Sequence, residues 1–326
     1  MNILIIGAAG MLGRKLSGAL IDRGEILGRR IESLVLADIV APERPDFSGP
    51  VETVAADLSM PGVAETVIAS RPDLIFHLAA IVSGEAEADF EKGYRINLDG
   101  TRMLFEAVRL ASRNQAYCPK LVFTSSIAVF GEPLPAIIGD DQILTPLTSY
   151  GTQKAIDELL LADYSRRGFL DGVGIRLPTI SVRPGKPNKA ASGFFSGILR
   201  EPLVGLEAVL PVGDDVRHWF ASPRAAIGFL LHAAELDTGR LGARRNLTMP
   251  GLSTTVGGQI EALRRIAGDK AVALIRREPD ATIGPIISGW PKNFDARRAT
   301  ELGFVGEQSF DDIIRVHIED ELGGSI

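Results

Sequence analysis

The sequence predicts an α/β fold, a doubly wound parallel sheet with a smaller, interleaved C-terminal lobe. Three observations predict it. Short apolar runs of strand length alternate with segments of helical apolar spacing up to about residue 180. The runs are continuous, as in strands buried on both faces. A glycine triplet, G-x-x-G-x-x-G, separates the first run from the first helical segment.

The elements follow in order. Ile3-Leu4-Ile5-Ile6 is a strand that stops at Gly7. Leu12, Leu16, Leu20 and Leu27 space a helix over 11–27. Residues 34–37 form a second strand ending at Asp38, and 51–54 a third with Asp57 at its exit. A helix over 63–69 leads to a fourth strand at 74–76. A long helix spans 97–111 and a fifth strand 121–123; a helix over 150–166 then precedes a sixth strand at 174–177. Strands separated by helices imply right-handed crossovers and a parallel sheet.

Beyond residue 180 the pattern breaks. Pro184-Gly185-Lys186-Pro187-Asn188 is turn-rich. Helices are expected at 223–235, 256–267 and 310–322, the last opened by a capping box of Ser309 and Asp312. Asn246-Leu247-Thr248-Met249 reads as a late strand returning to the main sheet. The expected partition is therefore 1–180, with 221–250 returning to it, against 181–220 and 251–326.

Composition excludes other classes. The 326 residues carry 35 Lys and Arg against 41 Asp and Glu, a net charge of −6, which argues against binding nucleic acid through bulk positive charge. Hydrophobic residues at 45% and charged residues at 23% describe a globular chain. The one cysteine, Cys118, excludes an intrachain disulfide or a Cys-rich metal site and fits the reducing cytoplasm. No apolar run reaches the ~18 residues of a membrane span. The run at Ile3 has no basic flank and is too short for a secretory leader.

The glycines carry the first functional signal. Gly7 permits a tight turn, Gly10 lets backbone approach a pyrophosphate, and Gly13 lets the helix pack on the strand. Met11 and Leu12 then present unpaired N–H groups and the positive end of the helix dipole to the phosphates. An ordinary βα turn is the bland alternative. Against it stands Asp38, 25 residues after Gly13, where an acidic ribose ligand is expected ~20 residues on. A carboxylate there accepts both ribose hydroxyls and repels a 2′-phosphate, so NAD is favoured over NADP. No arginine follows before Arg44. Asp57 suits either an adenine amino group, with Leu58 against the ring, or a helix N-cap. The small side chains of Leu78-Ala79-Ala80 would let backbone pass close to the cofactor. His77 reads as a satisfied strand-end histidine.

Tyr150 and Lys154 lie four apart at a helix start, on one helical face. An ammonium stabilises a phenolate, making the phenol a usable base near neutrality. Tyr150 would then remove an alcohol proton as hydride leaves carbon, with Lys154 on the nicotinamide ribose. Ser125-Ser126 follows the fifth strand at the sheet's C-terminal edge, where a hydroxyl can hold the substrate oxygen. An exposed helix pair is the alternative.

Taken in order, Gly7/Gly10/Gly13, Asp38, Asp57-Leu58, His77-Leu78-Ala79-Ala80, Asn97, Ser125-Ser126 and Tyr150/Lys154 resemble the extended short-chain dehydrogenases/reductases, closely over 1–185. The resemblance implies a Rossmann fold, NAD, and a catalytic triad of Ser126, Tyr150 and Lys154, with Ser125 the substitute if the register slips. Asn97 matches the asparagine that starts the long helix and supports the site's backbone, a role compatible with an N-cap. The resemblance also implies a homodimer through the helices at 97–111 and 150–166, with Leu104, Val108, Leu159 and Ala162 as candidate apolar contacts.

Departures from the family bear on substrate. The N-x-Y-G-P-like stretch of sugar-nucleotide enzymes is replaced by Ile180-Ser181-Val182-Arg183-Pro184-Gly185, and Phe130 replaces a usual tyrosine. Arg183, Lys186 and Lys189 cluster near the expected mouth of the site, and Arg217-His218-Trp219-Phe220 stands where the family has an R-D-F-x-H-like stretch. Arg183 and Arg217 are candidates to grip a carboxylate, since guanidinium suits bidentate recognition. A solvated basic loop is the alternative. The loop 187–194 resembles a branch that oxidises four-carbon sugar acids at C2. The expectation is a small sugar-acid substrate with no membrane or nucleic-acid partner. A nucleotide-sugar 4-epimerase or dehydratase with tightly held NAD, and a non-catalytic NAD sensor, are the alternatives.

Overall fold

The structure, a computed structural model, describes residues 1–185 and 191–326. Its elements fall into two compact units. Unit 1 comprises Met1–Val129, Thr148–Arg176 and Ile227–Leu247; unit 2 comprises Phe130–Leu147, Leu177–Ala226 and Thr248–Ile326. The sequence partition kept 130–147 with the sheet domain. In the structure Phe130–Leu147 groups with unit 2, where Ile138 forms a parallel bridge with Phe294.

Unit 1 carries β1 (Asn2–Ile6), α1 (Met11–Arg23), β2 (Ser33–Asp38), β3 (Val51–Ala55), α2 (Val63–Ile68), β4 (Leu74–His77), α3 (Gly100–Ala111), β5 (Lys120–Ser126), α4 (Ser149–Arg166), β6 (Asp171–Leu177) and β7 (Asn246–Thr248). The seven strands form one sheet in the order β7-β6-β5-β4-β1-β2-β3. The pairs β1–β2, β2–β3, β1–β4 and β4–β5 are parallel. The late strand expected at 246–249 joins this sheet as its edge. Strand order reverses between β1 and β4, which opens a crevice beyond their carboxyl ends. Leu4, Ile6, Ile75, Phe105, Leu121 and Phe123 form the core between the sheet and its helices.

Local chemistry sets the element ends. α1 stops at Arg23 because Gly24 turns left-handed, and a short hairpin of Glu25–Ile26 and Arg29–Arg30 follows. Leu27, expected on that helix, sits in the hairpin turn at φ +55°. The long helix is preceded by a π-turn, Tyr94–Asp99, so Asn97 lies inside the helical run and is not its N-cap. α4 opens with Thr148, whose hydroxyl accepts the Gly151 N–H at 3.0 Å.

Unit 2 has its own core of Phe195, Ile198, Phe220, Ile260, Leu263 and Ile313. A three-stranded sheet joins Leu252–Thr255, Arg217–Ala221 and Thr179–Ile180. The helix Val256–Val272 is broken by Gly268 at φ +78°, directly after the expected end at 267. Phe310–Glu321 starts with the capping box of Ser309 and Asp312. Among the described residues, no helix is long and apolar enough to cross a membrane.

Candidate active site

The first turn is packed so tightly that neither Gly7 nor Gly13 has room for a side chain. Gly7 adopts φ +91°, and a Cβ there would lie 2.7 Å from the Ala79 nitrogen. A Cβ on Gly13 would lie 2.2 Å from the Gly7 carbonyl oxygen. Gly10 is exposed at the N-cap and carries no side-chain cap. The first intrahelical bond runs from Arg14 N–H to Gly10 C=O at 2.9 Å, so the N–H groups of Met11, Leu12 and Gly13 precede it. This donor set, with the helix dipole behind it, fits a pyrophosphate.

Asp38 ends β2 half-buried, its carboxylate accepting Ala9 N–H at 2.9 Å and Ile39 N–H at 2.7 Å. The carboxylate is thereby fixed beside the glycine turn, with exposed Ile39 and Val40 next to it. Asp57 does not cap a helix. Its Oδ1 accepts both Ser59 N–H (2.9 Å) and Ser59 Oγ–H (2.5 Å), while Arg95 stands 3.6 Å from Oδ2. Leu58, expected against an adenine ring, is instead buried in the core. Leu78, Ala79 and Ala80 stay partly exposed after β4.

Asn97 points inward. Its Oδ1 accepts Ile81 N–H at 2.9 Å, and its Nδ2 donates to Gln153 Oε1 at 2.7 Å and to Ile81 C=O at 3.3 Å. It holds the backbone after Ala80, and its side-chain amide is engaged by protein.

β5 separates its two terminal serines because successive side chains point to opposite faces. Ser125 is buried and donates to Glu158 at 2.6 Å. Ser126 is half-buried, and its Oγ accepts Ala128 N–H at 3.1 Å. Glu158 also takes a two-pronged grip from Arg176, with Nε at 2.8 Å and Nη2 at 2.7 Å. The Ser125 hydroxyl is thereby engaged by protein, and Ser126 carries the more accessible hydroxyl of the two.

Tyr150 is half-buried near the start of α4. Lys154, 1% exposed, sets its ammonium 4.5 Å from the Phe123 ring centre and 5.9 Å from that of Tyr150. Burial pulls its pKa down to about 8, against the opposing pull of Asp157 and Glu158. Burial pushes the Asp157 carboxyl well up, against the opposing pull of the Lys154 ammonium, which favours the carboxylate. His77 is buried, with Nε2 2.9 Å from the Thr101 hydroxyl; burial and the Lys154 charge lower its pKa to about 3 and keep it neutral. Gln153, Asp157, Glu158 and Arg176 escaped the sequence reading. The spacing of Asp157 and Glu158, three and four residues after Lys154, was the available signal.

The candidate substrate residues lie in unit 2. Arg183 folds its Nε onto the Ile180 carbonyl at 3.0 Å. Arg217 is exposed and donates to Ser253 C=O at 3.0 Å. His218 is buried 2.6 Å from the Thr179 hydroxyl. Lys186, Lys189 and positions 187–190 of the substrate loop lie outside the described residues.

A strand-order reversal beside a glycine-rich turn is the nucleotide crevice of a dinucleotide-binding enzyme. A lysine buried behind a tyrosine at the same sheet edge narrows that class to oxidoreductases of the short-chain dehydrogenase type. Residues 3–246 match the NAD dependent epimerase/dehydratase family, and the chain belongs to it. It is an NAD-dependent oxidoreductase. The chain is 49% identical over 324 residues to a D-erythronate dehydrogenase of Cupriavidus necator, covering 98% of each. It is 40% identical to a D-erythronate dehydrogenase of Haemophilus influenzae, covering 98% of this chain and 99% of that one. A solved structure titled as a nucleoside-diphosphate-sugar epimerase from Agrobacterium tumefaciens superposes with a TM-score of 0.98 at 66% identity, covering 100% of this chain and 95% of that one.

Proposed function

We propose that the protein oxidises the C2 hydroxyl of D-erythronate to the 2-oxo acid. The observation that carries this is the 49% identity, over nearly the full length, to a protein named for that reaction. Tyr150 acts as general base on the C2 hydroxyl, and Ser126 holds the same oxygen. Lys154 favours the phenolate and holds the nicotinamide ribose. Bound NAD supplies the acceptor for the departing hydride. Gly7, Gly10, Met11 and Leu12 receive the pyrophosphate, Asp38 the adenosine ribose, and Asp57 the adenine side. Arg183 and Arg217 are the candidates for the substrate carboxylate. Unit 1 is the NAD-binding part and unit 2 the substrate-binding part of this reading, which includes a cytoplasmic homodimer. In the dimer helices, Leu104 and Val108 are wholly buried core residues, whereas Leu159 is 69% exposed and available to a partner.

The test is net NADH formation by the purified protein with NAD and D-erythronate. Turnover supports the reading; no turnover with D-erythronate and conversion of a UDP-hexose without net NADH would overturn it. That second outcome is the nucleotide-sugar epimerase reading, which the name of the 66% identical structure favours. NAD binding without turnover of any sugar acid or sugar would instead mark an NAD sensor. The presence of Ser126, Tyr150 and Lys154 weighs against a sensor, which needs no proton acceptor.

A further inference from the structure

One buried carboxylate has no place in the chemistry above. Asp157 follows Lys154 by three residues, so both project from one face of α4. Asp157 is 0% exposed and Lys154 is 1% exposed. A buried carboxylate normally collects hydrogen bonds or a cation. Neither oxygen of Asp157 has a hydrogen bond of ordinary geometry. Its polar neighbour Thr101 directs its hydroxyl to the Asn97 carbonyl at 2.6 Å.

The other groups around Lys154 are already committed. Glu158, on the same helix, is held by Arg176 from β6 and by Ser125 from β5. Its charge is therefore balanced without the lysine. His77, from β4, is neutral, and Phe123, from β5, offers only its ring. Tyr150, one turn earlier, is the group the lysine serves. Asp157 and Glu158 are the anions that act on Lys154, and of the two only Asp157 has no cation of its own among the described residues.

We propose that Asp157 is the buried counter-charge of Lys154, a positioning residue that keeps the lysine an ammonium beside Tyr150. Where it belongs to the cycle rests on the dehydrogenase reading above; the electrostatic pairing itself does not. An anion next to a buried ammonium raises the lysine's pKa, and removing the anion lets burial depress it further. The protein thereby offsets the burial that the site imposes on Lys154. Alkaline loss of activity is set by the pair, because the phenolate loses its stabilising cation when Lys154 deprotonates.

The experiment follows Lys154 directly in the cofactor-free protein. Its side-chain methylene resonance, in protein carbon-labelled at lysine and assigned by its loss in Lys154→Met, is titrated against pH. In Asp157→Asn the midpoint should fall by about one pH unit or more. Asp157→Glu should restore most of it, and Asp157→Ser should repeat the fall if the asparagine variant folds poorly. An unchanged midpoint in the neutral variants, with or without a lower melting temperature, would overturn the proposal by reducing Asp157 to a structural residue. The kinetic counterpart is kcat/KM against pH with D-erythronate. Its alkaline limb should move to lower pH in Asp157→Asn, while its acid limb should not rise. A wild-type protein inert to D-erythronate would defeat the substrate reading alone, since the lysine titration needs no substrate.

Discussion

Ser125 and Ser126 adjoin in the chain and differ in everything else. Strand alternation turns one toward Glu158 and leaves the other half-exposed. Ser126→Ala should lower kcat at least ~10-fold with little change in melting temperature, as expected for a lost substrate-positioning donor. Ser125→Ala should cost stability by about 1.5 kcal/mol, the scale of a hydrogen bond to a charged group, and leave kcat nearly intact. Tyr150→Phe should lower kcat by ~10²-fold or more, the usual worth of a general base, with NAD affinity retained. Glu158→Ala strands Arg176 in the interior and should cost ~3 kcal/mol in urea unfolding. Two of the buried histidines, His77 and His218, give a pH signature. Burial holds His77 down to about 3 and His218 to about 4, against an ordinary 6.5. Between those values the unfolded chain binds more protons, so stability falls as pH drops below 6.5. Melting curves across that range should show the loss, and His218→Gln should shrink it. Tyr150, Lys154 and Ser126 could be singled out from residue type and spacing alone. The fate of Ser125 could not be read that way, because it depends on a glutamate from another element.

At the scale of elements, two glycines in α1 separate packing from propensity. A methyl at Gly13 would collide with the Gly7 carbonyl, which cannot move without opening the turn. Gly13→Ala should therefore weaken NAD binding and lower the melting temperature together. Gly18 is exposed in the same helix, and an added Cβ would meet nothing within 4 Å. Gly18→Ala should raise stability by about 0.5–1 kcal/mol, measured by urea unfolding. The starts of α1 and Phe310–Glu321 could be read from turn and cap residues. The π-turn at Tyr94–Asp99 could not, because an extra residue per turn leaves no apolar signature. Its effect is to aim Asn97 at Ile81 and Gln153, which an N-cap would not do.

For the whole molecule, ligand linkage provides the broadest check. NAD at ~100 times its Kd should stabilise the folded chain by about 2.7 kcal/mol, and NADP at the same concentration by much less, because Asp38 opposes a 2′-phosphate. Asp38→Ser should narrow that difference. The −6 charge then reads as a solvated acidic surface, compatible with a small anionic substrate only if local arginines receive it.

The sequence by itself determined the parallel α/β sheet, the glycine turn, the acidic end of β2 and the pairing of Tyr150 with Lys154. Each depends on spacing within one element or one turn, where chain connectivity fixes geometry. Only the tertiary structure decided that Leu58 is core, that Ser125 belongs to Glu158, and that Phe130–Leu147 groups with unit 2. It also decided that Asp157 is wholly buried with no hydrogen bond of ordinary geometry to either carboxylate oxygen. Those outcomes depend on which side chains from distant segments fill the same volume, and on which of them must share charge once water is excluded.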